Sequence, residues 1–359
     1  MSIIPNISVD SQGTMYDALF MFANSELQSG NYKNSGALFE KSIQLAGNKP
    51  WDNAAQAYYG LARSYKGIGR EDKAREMFKE AIKRDSKVIN SMITNGETYY
   101  GDGEYEKALD YYKTALGLVP YKDSDIYYKM GLVYLKMKDA DKELDAFERS
   151  VALKPNDTDA LQHLAEVLYY RKNNAARAEF YDKEARGQGA NEYKVQKELG
   201  DLCYEYQSYS WARAKYGNAA RLIDRMIEAE IKKAVGTGEE AKKLTDDPAK
   251  INLKFVLDAA ASGNKLASDV LQKIAPLLAE RRFVGSRILL CQIKTNQFKD
   301  AQQQLDKLKA EDPNVSESAE FHYALGEFAL AILNASASTR YGVTSTIFIS
   351  SFAISPAIV

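Results

Sequence analysis

Apolar and small residues recur along this chain with the spacing of paired amphipathic helices. Six times, a small residue is followed sixteen residues later by an aromatic side chain. The small residues are Ala23, Ala62, Gly96, Gly131, Ala165 and Gly200. Their aromatic counterparts are Phe39, Phe78, Tyr112, Phe147, Tyr181 and Tyr216. Successive copies lie about 34 residues apart, and a period of this length predicts stacked helical hairpins.

The third copy shows how each hairpin is built. Met92, Gly96 and Tyr99 are spaced by four and three residues, so they share one face of a first helix. A Gly-Asp-Gly turn at 101–103 ends that helix, and a second helix carries Tyr112 on its inner face. The small residue Gly96 therefore predicts a close approach of the two helices, with the Tyr112 ring beside it.

This pattern resembles the tetratricopeptide-repeat family over roughly residues 16–222. The resemblance implies an all-α fold, a right-handed α-solenoid of stacked helix-turn-helix hairpins. It also implies a concave groove lined by the first helix of each hairpin. The family keeps small residues at three positions of every hairpin, and the fifth copy departs from this rule with Arg177 and Glu184.

The rest of the chain carries a weaker form of the same signal. The expected segments are an N-terminal extension at 1–15, six repeats at 16–222, a long helix end with a polar linker at 223–248, a degenerate helical block of the same kind at 249–334, and a C-terminal tail at 335–359. Within the block, the pattern predicts helices near 251–261 and 266–279, a hairpin over 285–313 and a last helix over 318–333.

The concave side of the hairpins is expected to be aromatic and acidic. Its residues lie at positions of each first helix about a third of a turn away from the stacking face. The aromatic members are Phe20, Tyr59, Tyr100, Tyr128, Tyr169 and Tyr204. The acidic members are Glu97, Asp125, Asp159, Glu166 and Asp201. Because tyrosine offers a large apolar face and a hydroxyl, this surface suits a peptide, and its carboxylates favour a basic one.

Three functional hypotheses follow from this pattern. The competing interpretation is that these residues form no binding site, since tyrosines also pack hairpins together and acidic faces are often only solvated. The first hypothesis is a protein-interaction scaffold or adaptor that binds a peptide or helix of a partner protein in the groove. The alternative is a membrane receptor or assembly factor with cytosolic repeats, anchored by residues 341–359. The third and least favoured hypothesis is a regulatory subunit of an enzyme that acts through residues 249–334.

Composition argues against several other classes of function. The chain has 48 basic and 49 acidic residues, so no global field favours nucleic acid. Cys203 and Cys291 are too few for a disulfide framework and are interpreted as small core residues. His163 and His322 lack partners at metal-ligand spacing. We therefore expect no enzyme, no catalytic residue, no cofactor and no metal, in a cytoplasmic protein that is a candidate for homo-oligomerisation.

The C-terminal tail is the remaining unusual feature. From Tyr341 to Val359 it carries no charge, which is compatible with a membrane anchor at the lower limit of length. Six serine and threonine residues make it less apolar than a typical span. It could instead cover the last helix, because the ends of a solenoid need caps, or be an atypical terminus with little role. A membrane location is expected only if this tail is an anchor.

Overall fold

The computed structural model describes residues 12–119, 122–235, 245, 251–312 and 314–339, and over these residues the protein is all-α. The predicted anchor at 341–359 lies outside them, as do most of the predicted N-terminal extension and of the polar linker. The chain divides into two compact units, Met1–Glu143 and Leu144–Val359. The segment boundaries expected from the sequence stay predictions.

Helical hairpins form the first unit. Its helices are α1 (Gln12–Gln28), α2 (Tyr32–Ala46), α3 (Ala54–Gly67), α4 (Glu71–Arg84), α5 (Val88–Gly101), α6 (Tyr105–Leu118), α7 (Ser124–Met137) and the beginning of α8 (Ala140–Leu153). Three hairpins pair α1 with α2, α3 with α4, and α5 with α6. They stack in sequence order, since α2 packs on α3 and α6 packs on α7. The helices and hairpins of this unit confirm the sequence prediction.

The second unit continues the hairpins and then changes to longer helices. It contains the rest of α8, then α9 (Thr158–Tyr170), α10 (Ala175–Ala185), α11 (Tyr193–Glu205), α12 (Tyr209–Val235), α13 (Leu253–Ala261), α14 (Lys265–Lys294), α15 (Phe298–Glu311) and α16 (Ala319–Thr339). Hairpins pair α9 with α10 and α11 with α12. As the sequence predicts, α12 continues beyond the length of a repeat helix, and it packs along α14.

The C-terminal helices differ from their prediction at one point. The sequence predicts a break between a helix over 266–279 and a hairpin that begins at Gly285, but α14 is continuous through both. A Cβ at Gly285 would lie 2.4 Å from Leu308 of α15, so this glycine allows close packing instead of a turn. The turn of helix before it is held by Arg281, whose Nε lies 2.6 Å from Asp224 of α12. These neighbours are distant in sequence, so the local pattern did not reveal them.

The small residues of the repeat make the close helix approach that they predict. A Cβ at Gly96 would lie 2.5 Å from the Tyr112 ring, and a Cβ at Gly200 would lie 2.7 Å from the Tyr216 ring. Both rings are buried. The aromatic ring therefore fills the volume that any larger side chain would need.

Replacing Gly200 by alanine is expected to lower the free energy of unfolding by about 1 to 3 kcal/mol, because the new methyl group must displace a buried ring. The Tyr216 hydroxyl donates a hydrogen bond of 2.6 Å to Asp201, which holds that ring in place. The matched control is Gly217→Ala on α12, where nothing lies within 4 Å of the new Cβ. The control is expected to gain up to about 1 kcal/mol, since alanine favours a helix interior. Equal urea midpoints for the two variants would contradict this packing role.

The two charged departures of the fifth hairpin each find an opposite charge. Arg177 Nη1 donates to Glu148 of α8 at 2.8 Å, and its Nε donates to Glu198 of α11 at 2.5 Å. Glu184 accepts a hydrogen bond of 2.7 Å from Nζ of Lys215 on α12. Ion pairs between helices thus stand at the two positions where the second, third and sixth hairpins have alanines.

Candidate protein-interaction site

In the first unit, two predicted groove aromatics belong to the packing. Tyr59 is buried, with 5% of its surface exposed, and its hydroxyl accepts a hydrogen bond of 2.6 Å from Asn95. The ring of Phe78 lies 5.7 Å away on its other side. Tyr59 is therefore a core residue, which corrects its prediction as an exposed anchor. Phe20 is half-buried and packs edge-to-face against Phe39 at 6.0 Å.

The other predicted residues of the first unit lie at or near the surface. Tyr100 and Tyr128 are half-buried, whereas Glu97 and Asp125 are exposed. Glu97 forms an ion pair of 2.5 Å with Lys129 on α7. Because this pairing neutralises one of the two carboxylates, the acidic character expected for this part of the chain is reduced.

A cluster of cations and tyrosines between α3, α5 and α6 was missed in the sequence. Arg63 Nε donates a hydrogen bond of 3.2 Å to the Tyr111 hydroxyl, and the Tyr99 and Tyr111 rings stack at 5.4 Å. Lys66 Nζ lies 5.0 Å from the centre of the Tyr111 ring and 2.5 Å from Asp110. Second helices were not expected to contribute here, so Tyr111 had no predicted role. These aromatic and cationic groups hold the second and third hairpins together.

In the second unit, Tyr204 and Asp201 of α11 have packing roles. The Arg287 guanidinium of α14 lies 4.8 Å from the centre of the half-buried Tyr204 ring. Asp201 accepts the 2.6 Å hydrogen bond from Tyr216 of α12, and burial raises the pKa of its carboxyl group. Both predicted groove residues therefore join α11 to the longer helices.

Helix α9 keeps all its predicted groove residues exposed. Tyr169 is 55% exposed, and Asp159 and Glu166 are also exposed. Its neighbour Tyr170 is 79% exposed, and the two rings meet edge-to-face with centres 4.9 Å apart. Two large aromatic side chains side by side on the surface of one helix are a frequent feature of protein interfaces.

A cavity of about 630 Å³ lies between α9 and α10 beside this aromatic pair. Glu166 and Tyr169 line it from α9, and Glu179 and Asp182 line it from α10. Small side chains leave the space open, and these are Ala165, Ala175, Ala178 and Ala185. Ligand sites commonly have volumes of roughly 300 to 1,000 Å³, so this cavity is large enough for a peptide side chain and its neighbours.

The sequence predicted only some of the residues that line this cavity. Tyr169 and Glu166 were predicted, whereas Tyr170, Glu179 and Asp182 were not. The groove was expected from first helices alone, yet α10 and Arg186 just after it supply half of the lining. The signal present in the sequence was the spacing along α10, since residues 175, 178, 182 and 185 share one helical face and three of them are alanines.

The two cysteines and His163 take part in side-chain packing. The His163 ring stacks on Phe147 with centres 5.1 Å apart, and its Nδ1 lies 3.4 Å from Glu166. Cys203 and Cys291 are buried core residues, as predicted, and burial raises the pKa of each thiol to about 12. Both side chains therefore remain protonated thiols at neutral pH.

Neither a metal centre nor a membrane-spanning helix is found among the described residues. In this part of the chain, no group of three or more His, Cys, Asp or Glu side chains is arranged to hold a metal ion. Within the same residues, every helix is either too short or too polar to cross a bilayer.

Two segments of the chain match family models described as tetratricopeptide repeat, at residues 15–87 and 93–158. They span most of α1–α4 and of α5–α8. These two segments are tetratricopeptide repeats. This confirms the resemblance seen in the sequence, and proteins of this family are protein-interaction scaffolds.

Parts of the chain are similar to proteins with different named functions. The photosystem I assembly protein Ycf3 of Acaryochloris marina is 38% identical over 87 residues, which are 24% of this chain and 52% of that protein. The type IV pilus assembly protein PilF of Pseudomonas aeruginosa is 25% identical over 176 residues, which are 49% of this chain and 68% of that protein. The crystal structure of MamA matches 48% of this chain and 96% of that one, with 24% identity and a TM-score of 0.29. The matched part of this chain thus corresponds to only 52% of the length of this Ycf3.

Proposed function

We propose that this protein is a non-enzymatic scaffold that binds a peptide or helix of a partner protein on its repeats. The observation that carries the proposal is the cavity between α9 and α10, beside the exposed rings of Tyr169 and Tyr170. Preformed helices position these rings, so little conformational entropy is lost when a partner binds. Two further predicted groove residues, Asp159 and Glu166, are exposed on the same helix as Tyr169.

The proposed role lies in the assembly of a larger complex. Two of the relatives are named assembly proteins, one for photosystem I and one for the type IV pilus. A scaffold of stacked hairpins suits such a role because each hairpin contacts mainly its neighbours and leaves a long surface for partners. We place this activity in the cytoplasm, while membrane association through residues 341–359 and self-association stay predictions.

Co-purification tests the scaffold function. Wild-type protein and the Tyr169→Ala variant are incubated with a native lysate, and the bound proteins are identified by mass spectrometry. The matched control is Tyr323→Ala on α16, because Tyr323 and Tyr169 are both 55% exposed. We expect a partner that is retained by the wild type and by Tyr323→Ala but reduced about tenfold by Tyr169→Ala, as for an aromatic hot spot.

Two results would oppose the proposal. If both tyrosine variants retained the same proteins as the wild type, the α9–α10 surface would not be the partner site. If Tyr323→Ala alone lost the partner, the site would lie on the last helix. Unchanged circular dichroism of both variants excludes unfolding as the cause, and the exposure of both side chains makes unfolding unexpected.

A further inference from the structure

The α9–α10 cavity combines aromatic walls with an excess of negative charge. Its charged lining groups are the carboxylates of Glu166, Glu179 and Asp182 and the guanidinium of Arg186. Three carboxylates against one guanidinium leave an excess of negative charge on the lining, which Lys183 reduces in part because it pairs with Glu179 from outside the cavity. A low-dielectric wall concentrates such a field and favours a positively charged ligand.

The existing partners of these carboxylates are weak. Asp182 pairs with Arg186 at 3.0 Å and Glu179 pairs with Lys183 at 2.9 Å, both across one turn of α10. One side chain of each pair is well exposed, with 62% for Glu179 and 66% for Arg186, and Lys183 is shared with Glu192 at 3.0 Å. Exposed pairs of this kind contribute on the order of 0.5 kcal/mol, so an incoming cation can replace them at small cost.

Glu166 stands at the point where the acidic and aromatic walls meet. One of its carboxylate oxygens accepts a hydrogen bond of 3.2 Å from the neutral Gln162 amide, and the other lies 3.4 Å from Nδ1 of His163. Its neighbours on the cavity wall are Tyr169 and Tyr170, whose rings meet at an interplanar angle of 80°. A planar guanidinium can stack on one ring and still donate hydrogen bonds to a carboxylate. A lysine ammonium has no planar face and is less suited to do both.

Building on the proposed function, we propose that this cavity binds an arginine side chain of the partner peptide. The guanidinium lies among Glu166, Glu179 and Asp182, and the tyrosine pair contacts its planar face. An acidic peptide would meet like charges here. A wholly apolar segment would bury the carboxylates without a compensating charge, which is unfavourable. The alanines Ala175 and Ala185 leave room for the residues that flank the arginine.

Two peptide pools test this assignment with full-length protein. Each pool has random flanking residues around one fixed central residue, which is arginine in the first pool and citrulline in the second. Citrulline has nearly the same shape as arginine but no charge. We expect the immobilised protein to retain the arginine pool about tenfold more than the citrulline pool, with a preference that falls as salt is added.

Variants connect that preference to the cavity. The double variant Glu166→Gln, Glu179→Gln is expected to bring the arginine and citrulline pools to nearly equal retention. Ala185→Leu fills the cavity and is expected to reduce retention of both pools. Ala176→Leu is the matched control, since Ala176 lies on α10 but does not line the cavity. Circular dichroism of each variant checks that the helices are intact.

Each outcome decides one of the two proposals. Equal retention of both pools by the wild type, with loss in Ala185→Leu, overturns the arginine assignment and leaves peptide binding in place. An arginine preference that survives the double glutamine variant places the cation elsewhere and also overturns the assignment. Retention of neither pool overturns it too, while the co-purification with Tyr169→Ala tests the scaffold function independently.

Discussion

Replacing Lys215 by methionine is expected to lower the free energy of unfolding by about 3 kcal/mol, because the Glu184 carboxylate then loses its partner inside the second unit. Lys215 Nζ donates to Glu184 at 2.7 Å and to Asn156 at 3.2 Å. The Lys215 and Glu184 side chains are only 6% and 11% exposed. Water therefore has little access to the carboxylate, and the hydrogen bond of 3.0 Å that it keeps from the neutral Gln196 amide does not replace the lost charge.

Urea denaturation measures this loss, with the fluorescence of Trp211 as the probe, since Trp211 lies about one helical turn before Lys215 on α12. The other tryptophan, Trp51, is replaced by phenylalanine in all the proteins compared. The matched control is Lys233→Met on the same helix, where the side chain is 79% exposed and the change is expected to stay within about 0.5 kcal/mol.

A double variant separates the charge from the packing. Adding Glu184→Gln to Lys215→Met removes the buried charge, so the double variant is expected to be more stable than Lys215→Met alone. If Lys215→Met had the same midpoint as Lys233→Met, the buried pair would make no net contribution, and this account of the fifth hairpin would be wrong.

Replacing Arg177 by methionine is expected to have the second large effect, again a loss of about 3 kcal/mol, because two carboxylates lose a shared cation. The Glu148 and Glu198 side chains that it bridges are 10% and 21% exposed. Burial by itself lowers the pKa of the Arg177 guanidinium, but Tyr181 and the two carboxylates raise it by more, so the group stays charged. Arg186→Met, at an exposed pair just after α10, is the matched control with an expected change within about 0.5 kcal/mol.

The pH dependence identifies the cause of the Arg177 effect. Burial already raises the pKa of Glu148 in the wild type, and Arg177 and Tyr206 act against this rise. Without Arg177 the pKa of Glu148 rises further above its value in the unfolded chain. Protonation then favours the folded variant, so the difference in free energy of unfolding between wild type and variant should shrink as the pH falls from neutral to acidic. A difference that is constant with pH would assign the loss to packing alone.

The hairpins were predictable because their signal is local. Gly96 and Tyr112 are sixteen residues apart, and the 2.5 Å that would separate a Cβ at Gly96 from the ring shows why the small residue is needed. A helix face can be read from spacing alone, since successive residues turn by a constant angle. The same reasoning failed at Gly285, where a glycine that packs against Leu308 was taken for the start of a new hairpin.

The candidate site was predictable only in part. Helical position alone gave Tyr59 and Tyr169 similar expectations, yet Tyr59 is 5% exposed and Tyr169 is 55% exposed. The difference comes from neighbours: Asn95 donates to the Tyr59 hydroxyl from α5, while the space beside Tyr169 is bordered by alanines. Whether a side chain on a helix face is covered depends on the size of residues on other helices.

The sequence by itself determined that this protein contains tetratricopeptide hairpins, where the helices of those hairpins lie and which residues form their inner faces. These features depend on spacing within about 34 residues, so they can be derived from one stretch of chain at a time. Only the tertiary structure decided the partners of Arg177 and Glu184, the continuity of α14 and the position of the cavity beside Tyr169. Those depend on which side chains of different helices meet, and no periodicity along the chain specifies such contacts because they form only when the helices pack.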